Sequence, residues 1–205
     1  RFTRSGRCTE WHPEDFIAAD ITGMTLGIGG LGRIGKAIAR RAQGFDMRVL
    51  YTDVQRAPTE VETACQVSWV DFEQLLKEAD FVTLHVPLDA RTFHMVDEAA
   101  LRLMKRTAYL VNVSRGPVVD EAALVKACAA GEIAGAALDV YENEPRLSPG
   151  LAELDNVILV PHLGANSRKT RDRMARMTLD NVIAALSGQT PPNLVNRDVL
   201  KKRGA

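Results

Sequence analysis

The feature that most constrains this chain is a regular alternation of short apolar runs with helical stretches. Candidate strands are Met24–Gly29, Arg48–Tyr51, Val67–Trp69, Phe81–Leu84, Ala108–Asn112, Gly135–Asp139 and Val157–Val160. Most read as continuous apolar runs, the pattern of strands covered on both faces in a parallel sheet. Between them, Arg33–Gln43 sets Ile34, Ala37, Ile38 and Ala42 at helical spacing, with Gly44 as a stop. Phe72–Glu78 is a shorter helix. Asp120 can cap a helix through Ala130, with Leu124, Ala127 and Cys128 on one face and Gly131 ending it. Asn166 or Ser167 can cap a final helix to about Leu186, with Gly188 beyond. Its basic residues Arg168, Lys169, Arg171, Arg173 and Arg176 read as a solvated face. Strands alternating with helices predict βαβ units and an α/β, doubly wound, mostly parallel sheet.

Composition removes several function classes. Lys+Arg and Asp+Glu are both 26, so the simplest argument for a nucleic-acid or anionic-membrane partner is gone. No apolar run reaches the ~18 residues that span a bilayer. Cys8, Cys65 and Cys128 are scattered and no C-x-x-C occurs. Neither a disulfide framework nor a zinc or other metal site is indicated, and a cytoplasmic location is the default expectation. The first residue is Arg1 rather than Met, which suggests a piece of a longer protein.

The segment Gly27–Gly35 holds G-x-G-x-x-G in two registers, Gly27/Gly29/Gly32 and Gly30/Gly32/Gly35. A dinucleotide turn must follow a strand and open a helix. The second register satisfies this, with strand to Gly29 and helix from Arg33. Gly30 then allows the tight turn, Gly32 the approach of a pyrophosphate and Gly35 close helix–strand packing. Leu31 and Ile34 belong to the same turn, and Arg33 can add a charge-assisted contact to phosphate. Asp53 ends the second strand, 18 residues after Gly35. A carboxylate there accepts bonds from the adenosine ribose hydroxyls and repels a 2′-phosphate. A Rossmann-like fold binding NAD is expected, with NADP less favoured; Arg56 nearby weakens that preference.

Four histidines compete for chemistry. His12 lies beside Pro13 in a connector, and His94, between Phe93 and Met95, reads as packing. His85 in Leu84–Leu88 could line the cofactor crevice with Val86 and Pro87, or be structural. His162 follows the last strand directly, where open α/β sheets bind ligands. Arg115 follows the strand ending at Asn112, and Asp139 leads into Glu142 and Glu144. An Arg, a carboxylate and a His from neighbouring strand ends suit reduction of a small 2-ketoacid. Arg grips the substrate carboxylate as a planar fork, His moves the proton at the carbinol oxygen, and a nearby carboxylate favours the imidazolium.

Through Gly30–Gly35, Leu84–Leu88, Asn112–Val119, Ala137–Pro145 and Pro161–Ala165, the chain resembles the D-isomer-specific 2-hydroxyacid dehydrogenases from about Gly23 to Val195. Trp11-His12-Pro13 and Pro192–Asn196 bring it closest to the glyoxylate/hydroxypyruvate reductase branch. The resemblance implies catalytic Arg115, Glu144 and His162. Glu144 is preferred over Glu142 because the family's acid stands directly before proline; formate dehydrogenases carry Gln there. Asp139 is implied to contact the nicotinamide amide, with Val113, Ser114, Arg115, His162 and Gly164 bordering the cofactor. It implies residues 1–20 as an interdomain connector helix, 21–188 as the NAD domain and 189–205 as a segment returning to a substrate domain largely absent from this chain. A homodimer, with Trp11 near its interface, is implied as well. The competing readings are an NAD(H)-sensing co-repressor-like protein and a phosphoglycerate or phosphite dehydrogenase.

Overall fold

The computed structural model describes residue 6 and residues 20–202. The short helix expected near Glu14–Ala19, and Cys8, Trp11 and His12, lie outside the described residues. The chain divides into two compact units, Arg1–Leu159 and Val160–Ala205.

The first unit is a seven-stranded sheet: β1 (Thr25–Gly29), β2 (Arg48–Thr52), β3 (Val67–Trp69), β4 (Phe81–Leu84), β5 (Tyr109–Asn112), β6 (Gly135–Leu138) and β7 (Val157–Leu159). Their order is β3-β2-β1-β4-β5-β6-β7 and every pairing is parallel. Each expected strand is present, shifted by at most one residue at an end. The connections are α1 (Arg33–Ala42), α2 (Thr59–Cys65), α3 (Phe72–Glu78), α4 (Glu98–Leu103) and α5 (Glu121–Ala130).

Both faces are covered, which is why the strands read as unbroken apolar runs. In β2, Val49 and Tyr51 pack with Ile28, Ala39, Ala42 and Cys65 under α1 and α2. Leu50, between them, points the other way into a larger core with Leu75, Leu76, Leu101 and Leu124 from α3, α4 and α5. Aspartates start three of these helices: Asp71, Asp97 and Asp120 each accept a bond from the backbone N–H three residues on. Gly131, in the left-handed region at φ 63°, ends α5 as expected.

Two helices of this unit have no counterpart in the sequence pattern. α2 begins after Pro58 with no side-chain cap, and its residues are mostly polar, so apolar periodicity has little to register. α4 is only six residues long, too short to show a face.

The second unit contains α6 (Arg168–Leu186) and α7 (Val199–Lys202). Ser167, not Asn166, caps α6 by accepting from Thr170 N at 3.2 Å. Its basic residues are exposed, as expected, but so are Met174, Val182, Ile183 and Leu186. No helix among the described residues is long and apolar enough to cross a membrane.

Leu124 is fully buried, whereas Lys126 on the same helix is exposed. Leu124→Ala should lower unfolding free energy by about 2–5 kcal/mol, with Lys126→Ala nearly neutral, in urea denaturation followed by circular dichroism.

Candidate active site and cofactor crevice

The strand order reverses between β1 and β4, and there the turn after β1 opens onto the carboxyl edge of the sheet. The strand ends at Gly29 and α1 starts at Arg33, so the Gly30/Gly32/Gly35 register is the one the chain uses. Gly30 sits at φ 92°, a conformation side chains resist. A Cβ on Gly35 would stand 2.2 Å from the Gly30 carbonyl oxygen, so no other residue lets α1 pack this tightly against the turn. The earlier glycine, Gly27, serves packing: its Cβ would meet Leu75 Cδ2 at 2.6 Å, so α3 lies directly on β1.

Gly32 is the opposite case, with nothing within 4 Å of the place its Cβ would occupy. It is the N-cap of α1 and no side chain caps that helix. The N–H groups of its first turn are therefore open to an anion. The Leu31 N–H is already used, donating to Asp53 Oδ2 at 2.8 Å, while Val54 N donates to Oδ1 at 2.7 Å. Asp53 thus fixes the glycine turn to the end of β2, a task the sequence did not announce. Each of its oxygens keeps a lone pair for a further donor.

Two clefts line this edge. One, of about 510 Å³, is bordered by Gly30, Gly32, Asp53, Val54, Val86 and Pro87; the other, of about 410 Å³, by Ile34, Val86, Pro87, Val113, Ser114 and Arg115. His85, Val86 and Pro87 border both, so one crevice runs from Asp53 to Arg115. A pocket of about 300 Å³ elsewhere, among Ile21, Leu26, Phe45, Phe81 and Val111, is almost wholly apolar, with Arg41 among its lining residues. His85 bonds Thr83 Oγ1 through Nε2 at 3.0 Å, and its buried Nδ1 has no partner. Burial holds its pKa below the usual histidine value, so the ring stays neutral at pH 7 and acts as a wall.

The Arg115 loop is built by Asn112. Its Oδ1 accepts from the Ser114 N–H at 3.1 Å and the Ser114 hydroxyl at 2.8 Å, and its Nδ2 donates to the Arg115 carbonyl at 3.0 Å. Arg115 is exposed, and its Nη1 donates to the Ser114 carbonyl at 2.7 Å. Next to it, a Cβ on Gly116 would fall 1.8 Å from the Tyr141 carbonyl oxygen. This backbone contact brings the loop after β5 against the loop after β6, and so Arg115 into the neighbourhood of the Glu142–Glu144 segment.

Within that segment the two acids separate. Glu142 Oε1 pairs with His94 Nε2 at 2.9 Å, and its Oε2 accepts from Glu121 N at 3.3 Å. Glu121, almost fully buried, accepts from Glu142 N at 2.6 Å and from Ser148 Oγ at 2.6 Å. Glu142 is thus a tie holding the loop to α5. His94, expected as packing, stacks on Phe93 and also makes this hydrogen bond to Glu142. Glu144 Oε1 accepts from Tyr141 N at 3.0 Å, and the Glu144–Pro145 peptide is cis. Asp139 is buried at the end of β6, its N–H donating to the Asn112 carbonyl at 3.0 Å. His162 and Gly164 belong to the second unit; both are exposed, and His162 sits at φ 52°.

A family model for the D-isomer specific 2-hydroxyacid dehydrogenase, NAD binding domain, matches residues 1–164, and the chain belongs to this family. A glyoxylate reductase of Korarchaeum cryptofilum is 53% identical over 99% of the chain. The chain spans 61% of that relative's length. The TT0316 protein of Thermus thermophilus superposes with a TM-score of 0.88 at 43% identity, covering 95% of this chain and 60% of the other. An NAD-complexed D-isomer specific 2-hydroxyacid dehydrogenase of Lactobacillus delbrueckii gives 0.82 at 33% identity, covering 95% and 62%. NAD is the cofactor of this domain, and the crevice fits it: an uncapped helix start beside an open Gly32, with a carboxylate at the end of β2.

Gly116→Ala tests the backbone contact. It should cost about 1–3 kcal/mol or more, the range for forced overpacking, in denaturant titration, whereas Gly44→Ala, with open space around it, should not destabilise.

Proposed function

We propose that the protein is an NAD-dependent, D-specific reductase of small 2-ketoacids such as glyoxylate or hydroxypyruvate. The observation that carries this reading is the crevice that joins the ribose acid Asp53 at one end to Arg115 at the other. The glyoxylate reductase relative, 53% identical, supports the substrate class. When bound, the cofactor supplies the hydride. The turn Gly30–Gly35 binds its pyrophosphate through backbone N–H groups, with Arg33 adding charge. Asp53 holds the adenosine ribose, and Val86, Pro87, Val113, Ser114, Asp139 and Gly164 border the remainder.

Arg115 binds the ketoacid carboxylate and polarises the carbonyl. His162 gives the proton to the carbonyl oxygen during reduction and removes it in the reverse direction. Glu144 favours the protonated imidazole, a role the tie of Glu142 to His94 and α5 leaves to it. The chain spans 61% of the glyoxylate reductase relative's length, which supports reading residues 1–20 as a connector, 21–188 as the cofactor domain and 189–205 as a segment returning to a substrate domain that completes the pocket. A homodimer formed through this domain, in the cytoplasm, completes the reading; the buried free thiols of Cys65 and Cys128 are compatible with a reducing compartment.

The test is NADH oxidation by the full-length protein over a panel of 2-ketoacids. Turnover of glyoxylate or hydroxypyruvate is expected; NADH binding with no turnover of any ketoacid would leave a sensing protein instead. His162→Ala should lower kcat by about 10²–10⁴-fold with little change in KM. Arg115→Lys, which keeps charge but loses the fork, should raise KM and lower kcat together. Loss of the carboxylate in Glu144→Gln makes the imidazolium give up its proton more easily. The basic limb of the kcat/KM profile should therefore move to lower pH. Asp53→Ala should weaken NADH binding and narrow its advantage over NADPH in binding isotherms.

A further inference from the structure

Beyond Asp53, the loop that follows it holds a second charged arrangement. Arg56 lies three residues after Asp53 and could be expected to favour a 2′-phosphate. In the structure its guanidinium is occupied. Nε and Nη2 donate to Glu62 Oε1 and Oε2, both at 2.9 Å, a two-pronged pair from the loop to α2.

The acid is the fixed member. The Tyr51 hydroxyl donates to Glu62 Oε1 at 2.7 Å, and its oxygen accepts from Ala57 N at 2.8 Å. Tyr51 is fully buried in β2, so Glu62 is held from beneath by the sheet. The Glu62 side chain is 11% exposed and that of Arg56 66%: an exposed cation lies on a largely buried acid. The charges respond accordingly. Arg56 first, then Tyr51, hold the Glu62 carboxyl below its ordinary range. Burial, then the bond to Glu62, pushes the Tyr51 phenol up to about 12. The cleft on this side is lined by Thr52, Asp53 and Val54, and Arg56 is not among its lining residues.

We propose that Glu62 is a cofactor-specificity residue: by clamping Arg56 it withholds a cation that would otherwise bind the 2′-phosphate of NADPH. A dinucleotide bearing that phosphate meets the Asp53 carboxylate and, in addition, can recruit Arg56 only by stripping the partner from an acid seated on a buried tyrosine. Asp53 repels the phosphate, and Glu62 removes the compensation. The inference rests on the dinucleotide reading of the crevice.

The experiment is equilibrium binding of NADH and of NADPH to the 205-residue chain and its variants. Glu62→Gln keeps an oxygen for the Tyr51 hydroxyl and loses the charge. NADPH should then bind roughly fivefold tighter, the upper end of what one exposed ion pair contributes, with NADH unchanged. Adding Arg56→Ala should abolish that gain. Arg56→Ala alone should leave NADPH binding as it was, because the clamped cation contributes nothing. An equal change for both cofactors in Glu62→Gln would reduce the pair to a loop brace and overturn the proposal. So would weaker NADPH binding in Arg56→Ala. If Glu62→Gln loses its helical circular dichroism, the Arg56→Ala result decides alone. Failure of the unmutated chain to bind NADH would overturn the dinucleotide reading itself, and this inference with it.

Discussion

The crevice depends on backbone lying directly on backbone at the carboxyl ends of the strands. Gly35 rests on the carbonyl of Gly30, and Gly116 on the carbonyl of Tyr141. A parallel sheet delivers its strand ends to one edge, about 4.8 Å apart, but the loops beyond them diverge unless something draws them in. Where a side chain would intervene, glycine removes it, and adjacent loops become neighbours. The polar groups of those loops then bond one another: Asp53 to the Leu31 N–H, Asn112 to Ser114 and the Arg115 carbonyl, Glu142 to Glu121. Each tie fixes a loop that carries a group proposed to act in binding or chemistry.

This explains why so many charged groups near the crevice are paired in a chain of zero net charge. Arg56 is held by Glu62 and Arg91 by Asp89. An unpaired cation away from the pyrophosphate turn would steer phosphates to the wrong place. Pairing leaves the uncapped start of α1 as an anion site whose position the fold controls. An acid at the end of β2 adds a repulsive element, and specificity between two dinucleotides differing by one phosphate requires such an element as well as attraction.

Much of this was legible in the sequence because it follows from steric and periodic rules. Unbroken apolar runs between helical stretches meant a sheet covered on both faces, and the face alternation of Val49, Leu50 and Tyr51 is that rule in three residues. Strand before and helix after selected the Gly30/Gly32/Gly35 register. What escaped was of two kinds. α2 and α4 are too short or too polar for periodicity to reveal. Pairings between residues distant in sequence leave no local trace: His94 and Glu142 are 48 positions apart. Glu142 and Glu144 are alike in composition; the proline after Glu144 favoured it by resemblance, and the bonds of Glu142 to His94 and Glu121 supply the physical difference. Arg56 was visible as a cation near Asp53, but whether it opposed or served that acid depended on Glu62, six residues on and across a turn.

The distribution of the proposed groups over separate strand ends carries a mechanistic consequence. Arg115 stands after β5, Glu144 in the loop after β6 and His162 after β7, so no single loop movement displaces all three. Glu142 and Gly116 hold the first two loops through contacts made within the first unit. His162 instead belongs to the second, in the left-handed backbone region that few non-glycine residues enter. On the proposed reading, the proton donor His162 and the carboxylate-binding Arg115 stand on different loops. The groups proposed for binding and for proton transfer thus lie on separate parts of the chain, which is why substitutions of Arg115 and His162 are expected to have different kinetic signatures rather than a common loss.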